Sequence, residues 1–103
     1  MPTDLTDRDG PVEIAHVADR SEFVALDPTG QVGVLQYHLA SGAMDIQHTV
    51  VQPIAEGRGV GSALVVAALD HARAEGLSVI PTCPFVPAVL ARHPEYAGLV
   101  STD

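Results

Sequence analysis

The 103-residue chain contains no lysine and no tryptophan. All five of its lysine-or-arginine positions are arginine, set against 13 Asp and Glu, for a formal charge of −8. A broad nucleic-acid surface is not expected, because duplex binding draws on many cationic contacts. An acidic surface serves solubility, or attracts a cationic substrate such as an amine. Aromatics are only 4% of the chain while hydrophobic residues reach 47%, so the core must be built from Val, Leu, Ile and Ala. A single cysteine, Cys83, excludes an intramolecular disulfide. No apolar run approaches the ~20 residues of a membrane span. The N-terminus, "MPTDLTDRDG", is polar and acidic and unlike a signal peptide. The expected compartment is the cytoplasm, with no membrane partner.

What is present reads as one small domain. Residues 1–10 have no apolar periodicity and are expected to form a flexible acidic leader, with a single domain over 11–103. Segments 11–17, 22–27, 31–40 and 43–51 read as strands separated by tight turns, "DPTG" and "SG" among them. Alternation along 43–51 predicts Met44, Ile46, His48 and Val50 on one face. Pro53 ends that strand. The period then changes. Val60, Leu64, Ala68 and Ala72, flanked by Val65 and Leu69, predict an amphipathic helix over 60–75 that stops at Gly76. A buried strand at 77–81 and a short helix at 85–93 follow, with "HPEY" opening a last helical turn. The early strands must be antiparallel, and the strand–helix–strand unit at 43–80 makes a parallel pair. The fold class is therefore α+β, with a mixed, mainly antiparallel sheet, one long helix and one short one.

The helix begins with a glycine-rich elbow, "EGRGVGSAL". The P-loop signature requires a lysine that this chain lacks, and the dinucleotide fingerprint fails at Ser62 and Leu64, where its third glycine should stand. Two readings remain. The glycines turn a tight corner between strand and helix. Alternatively, the amides of residues 57–62 cradle an anionic oxygen ahead of the helix dipole.

The segment "VVQPIAEGRGVGSALVVAALDHARAEG" resembles motif A of the GNAT superfamily of acyl-CoA N-acyltransferases. The following "PTCPF" and "RHPEY" resemble a minimal, single-domain subgroup of that superfamily, and the resemblance spans residues 12–100. It implies a sheet splayed around an acyl-CoA site and an acetyl-CoA-dependent N-acetyltransferase. The acceptor would be an amine, on a small molecule or a peptide. Coenzyme A would lie with pantetheine along Val50 and Val51 and its diphosphate on Gly57, Arg58, Gly59, Val60, Gly61 and Ser62. The thioester would point toward Cys83, Pro84 and Phe85. Glu56 stands where the motif usually has Arg or Gln, and a carboxylate there repels a diphosphate unless it turns outward or pairs with Arg58. A non-catalytic acyl-CoA-binding or protein-interaction module on the same fold is the alternative.

Acetyl transfer to an amine needs a proton acceptor, a donor for the thioester oxygen and a group to meet the departing thiolate. Cys83 is the candidate nucleophile or acid, lying before a helix N-terminus, and its bland alternative is a buried small residue. His48 is a candidate base or an ordinary strand histidine. Tyr96 is a candidate acid or a packing residue. Arg58 either meets a phosphate or is a solvated loop charge. His16, His38 and His71 show no metal-ligand spacing, so no metal is expected. So short a chain leaves acceptor recognition to a few loops or to a partner, and it is expected to act as a monomer or weak homodimer.

Overall fold

The computed structural model describes residues 12–100; the expected acidic leader, residues 1–10, lies outside the described residues. The alternating first half forms four strands, β1 (Glu13–Val17), β2 (Glu22–Asp27), β3 (Gly30–Ala40) and β4 (Ala43–Val51), each antiparallel to the one before. The β2–β3 turn is pinned by Asp27, whose carboxylate accepts from the Thr29 amide at 2.8 Å and the Thr29 hydroxyl at 2.6 Å.

The change of period at residue 60 produces α1 (Val60–Glu75), which buries Val60, Leu64, Val65, Ala68, Leu69 and Ala72 and leaves Asp70, Arg73 and Glu75 exposed. That is the stripe its spacing predicts. The Leu77 amide returns to the Ala72 carbonyl at 2.8 Å and closes the helix. The chain enters β5 (Ser78–Ile80), which pairs with β4 in parallel, so the sheet order is β1-β2-β3-β4-β5. A short helix, α2 (Phe85–Arg92), and a 3-10 segment, Pro94–Leu99, complete the described residues. The core lies between one sheet face and the helices: Leu35, Met44, Ile46 and Val79 meet Leu64, Leu69, Val86 and Val89, all fully buried.

One expectation fails, and its failure shapes the site. Gln36 pairs with His48 but Tyr37 pairs with Ile46, so Gln47 is an extra residue, a β-bulge in β4. Because side chains alternate strictly along a strand, one inserted residue exchanges the faces of everything beyond it. Met44 and Ile46 point into the core, but Thr49 and Val51, opposite Leu35 and Gly33, now follow them. His48 and Val50 turn to the other face, where Val50 is 56% exposed.

At the sheet edge, the His16 ring stacks on Phe23 at 4.3 Å, sits 4.4 Å from His71, and places Nε2 2.6 Å from the Tyr37 hydroxyl. Burial, and then the neighbouring His71, lower the His16 pKa below the ordinary histidine value. A neutral ring accepts from Tyr37, and protonation removes that acceptor. The unfolded chain therefore binds this proton more readily than the folded one. His16 contributes stability that is complete above about pH 6.5 and is lost as pH falls through the lowered value. Denaturant unfolding at pH 8 and pH 5 should show a smaller acid loss in His16→Gln than in the parent chain.

Candidate functional site

The site begins where two strands part. β4 and β5 are in register only over Ala43–Asp45 and Ser78–Ile80. Their last tie is the Cys83 amide donating to the Ile46 carbonyl at 2.8 Å. At the same level the Thr82 hydroxyl donates to the Asp45 carboxylate. Beyond that point β4 continues to Val51, while the chain after Cys83 turns into α2. Among the described residues the β5-side edge of β4 has no strand partner there, and a V-shaped opening results.

The opening runs into the glycine elbow. Pro53 ends the ladder, and the 53–55 turn is closed by the Ala55 and Glu56 amides donating to Gln52 and Pro53. Gly57 has φ +83° and Gly59 φ +78°, a left-handed backbone that costs any residue with a Cβ about 1–2 kcal/mol. No atom lies within 4 Å of a Cβ built on either, so conformation and not crowding selects glycine at both. Gly61 is glycine for the other reason: a Cβ there would stand 2.8 Å from Cε2 of Phe85. The amides of Gly57, Gly59, Val60, Gly61 and Ser62 donate to no acceptor among the described residues. They form the electropositive end of α1. A pocket of about 300 Å³ lies against them, also lined by Thr49, Val51, Ala55, Glu56 and Phe85.

Of the residues expected at a cofactor site, Val51, Gly57, Gly59, Val60, Gly61, Ser62 and Phe85 line this pocket. Pro84 is the exposed residue before α2. Cys83 is buried behind the wall, and its Sγ donates to the Thr49 hydroxyl oxygen at 3.6 Å. His48 and Val50 open onto the opposite sheet face, beside the fork and out of the pocket. Tyr96 is buried and donates its hydroxyl to Asp70 at 2.6 Å, under the Arg73 guanidinium. That hydrogen bond, with burial, raises the Tyr96 pKa. Asp70 lies ~13 Å along α1 from Gly61, so this hydroxyl is committed elsewhere. Among the described residues no group of His, Cys, Asp and Glu side chains is arranged to hold a metal ion.

Three residues of the site carry no signal in the sequence. Thr49 reaches the pocket only because of the bulge. Asp27 meets the loop from the β2–β3 turn, and Arg92 meets Ser62 from the end of α2, donating to its hydroxyl at 2.6 Å. Arg58 pairs with Asp27 at 3.3 Å, not with Glu56, and it does not line the pocket. Thr29, its amide and Arg58 together hold the Asp27 carboxyl below the usual carboxylate range. The pair is largely shielded, with 19% of the Arg58 side chain and 4% of the Asp27 side chain exposed. It ties the elbow to the β2–β3 turn. Asp27→Asn and Arg58→Gln should each lower the melting temperature and speed amide exchange over 56–59, with the double variant little worse than either.

Residues 22–99 match the GCN5-related N-acetyl-transferase family. The mouse Protein NATD1 is 30% identical over 95 residues, covering 90% of this chain and 86% of its own. The chicken Protein NATD1 matches to the same extent, also 30% over 95 residues. A GCN5-like protein of Staphylococcus aureus solved by NMR superposes with a TM-score of 0.67 at 26% identity, over 86% of this chain and 87% of that one. Rv2747 of Mycobacterium tuberculosis, solved with CoA and NLQ, superposes with a TM-score of 0.57 at 30% identity, over 72% of this chain and 47% of its own. A splayed mixed sheet, an amide-lined elbow and these likenesses agree: the chain belongs to the GCN5-related N-acetyltransferase family.

Proposed function

We propose that the protein is an acetyl-CoA-dependent N-acetyltransferase acting on an amine of a small molecule or peptide. The observation that carries this reading is the continuity of the β4–β5 opening with a pocket whose floor is a row of unpaired amides. The residues present fit coenzyme A. The amides of Gly57, Gly59 and Val60–Ser62 suit a diphosphate, and open space stands where a Cβ at 57 or 59 would project. Glu56 opposes it electrostatically, but its side chain is exposed and has solvent to turn into. The free edge of β4 offers the backbone groups of Thr49 and Val51 to the pantetheine amides, while those of Val50 face β3.

Acetyl-CoA, when bound, supplies the acyl group as a thioester. The chain's own contribution lies at the base of the fork. The Cys83 Sγ donates to the Thr49 hydroxyl oxygen at 3.6 Å, which leaves the hydroxyl's own hydrogen free for another acceptor. Thr49 lines the pocket, so an acceptor bound there is within the reach of that hydrogen. Cys83 and Thr49 are thus a two-step donor relay able to meet negative charge at the thioester sulfur or oxygen. Neither Tyr96, bound to Asp70, nor His48, on the other sheet face, supplies a proton acceptor inside the pocket. This favours an amine that arrives already neutral, or one that enters from the His48 side. The same observation gives weight to a second reading, a binding module that retains the CoA site without turnover.

Titration with CoA, followed by an amine panel scored for release of free CoA, separates the two. Binding with release supports the transferase, binding without release the module, and no heat at millimolar CoA removes both. In the transferase case Cys83→Ala and Thr49→Val should each lower kcat on the order of a hundredfold, with CoA affinity unchanged.

A further inference from the structure

The acyl-CoA reading leaves a charge problem. A diphosphate carries concentrated negative charge, the chain is acidic, and the one arginine of the elbow is locked onto Asp27. Arg20 follows β1, the strand farthest from β5 in the sheet order. Arg73 is stacked over Tyr96 and donates to the Glu95 carbonyl at 3.0 Å. Arg92 is the remaining arginine of the described residues.

Its position is well defined. Phe85 and Arg92 are the first and last residues of α2, and two helical turns put them on one face. That face crosses the first turn of α1: the Phe85 ring covers Gly61, and the Arg92 guanidinium donates to the Ser62 hydroxyl at 2.6 Å. Ser62 lines the pocket, so the guanidinium stands one hydrogen bond behind the pocket wall. Arg92 is exposed, and it has no carboxylate partner among the described residues. A guanidinium offers five donors and no acceptor. One donor spent on Ser62 leaves others for a second oxygen, and it obliges the Ser62 hydroxyl to donate elsewhere.

We infer that Arg92 is the cation of the cofactor seat: it aims the Ser62 hydroxyl into the pocket and binds a phosphate oxygen of the CoA beside the elbow. The inference rests on the acyl-CoA reading. It assigns to Arg92 the role that the sequence pattern suggested for Arg58. Recognition of the anion is then divided between neutral amides on α1 and a charge delivered by α2.

The test is calorimetric titration of CoA into the full chain and into Arg92→Ala, Arg92→Lys, Ser62→Ala and Arg20→Ala, at 0.05 and 0.5 M NaCl, with the melting temperature of each unliganded protein. Arg92→Ala should weaken CoA about tenfold at low salt, and the difference from the parent should shrink at high salt. Arg92→Lys should recover part of the loss, because it keeps the charge without the fork geometry. Arg20→Ala, which removes the same net charge elsewhere, should bind as the parent does. An unchanged affinity in Arg92→Ala, or a loss that salt does not alter, would overturn the assignment while leaving the acyl-CoA reading intact. No CoA binding by the parent chain would overturn the acyl-CoA reading, and this inference with it.

Discussion

The hydrogen bond from the Cys83 amide to the Ile46 carbonyl is the last backbone tie between β4 and the chain leaving β5, and the opening exists because no ladder bond continues it. A parallel pair normally runs on until both strands end. Here β5 stops after three residues while β4 goes on to Val51. What diverts the chain is local: Pro81, Pro84 and Pro87 crowd the segment, and α2 starts at Phe85. Proline cannot donate to a ladder and presets the turn of φ that a helix start needs. The fork therefore follows from backbone chemistry on the β5 side. The bulge at Gln47 acts on the other side, turning Thr49 and Val51 inward just past the fork.

For the proposed CoA seat, recognition of an anion by an acidic protein is the second constraint. With a charge of −8 and no lysine, this chain has little cationic side-chain material to place around a phosphate. In the proposed seat oriented amides supply positive potential without changing net charge. Those amides are exposed to the pocket only while the elbow holds its left-handed turns, and Asp27 and Arg58 clamp the elbow from outside. Charge in the loop is thus spent on shape. Two hydroxyls on the pocket wall, Ser62 and Thr49, are each hydrogen-bonded from behind, by Arg92 and Cys83. On the proposed reading both are donors toward the same cavity.

Most of the fold was legible in the sequence, because its signals are local. The α1 stripe from Val60 to Ala72, the stop at Gly76, the tight turns of the first half and the parallel closing pair all appear where periodicity and turn chemistry put them. The glycine elbow was legible too, although its three glycines serve different ends: backbone conformation at 57 and 59, and room for the Phe85 ring at 61. What alternation could not reveal was the extra residue at Gln47. A bulge leaves no mark in a pattern of apolar and polar residues, so His48 was placed on the wrong face relative to Met44 and Ile46, and Thr49 was passed over. Partners far apart in the chain were equally hidden. Nothing in Asp27 points to Arg58, and nothing in Arg92 points to Ser62, because those contacts depend on how the β2–β3 turn and α2 pack against the head of α1.

The central claim is that the fork and the elbow form one continuous seat for CoA. Hydrogen exchange of the backbone amides with and without saturating CoA tests it most directly. The account predicts slowed exchange at 57–62 and at the free-edge amides of Thr49 and Val51, with the Pro94–Leu99 segment unaffected. Protection confined to other parts of the chain, or protection of the elbow without the β4 edge, would contradict it.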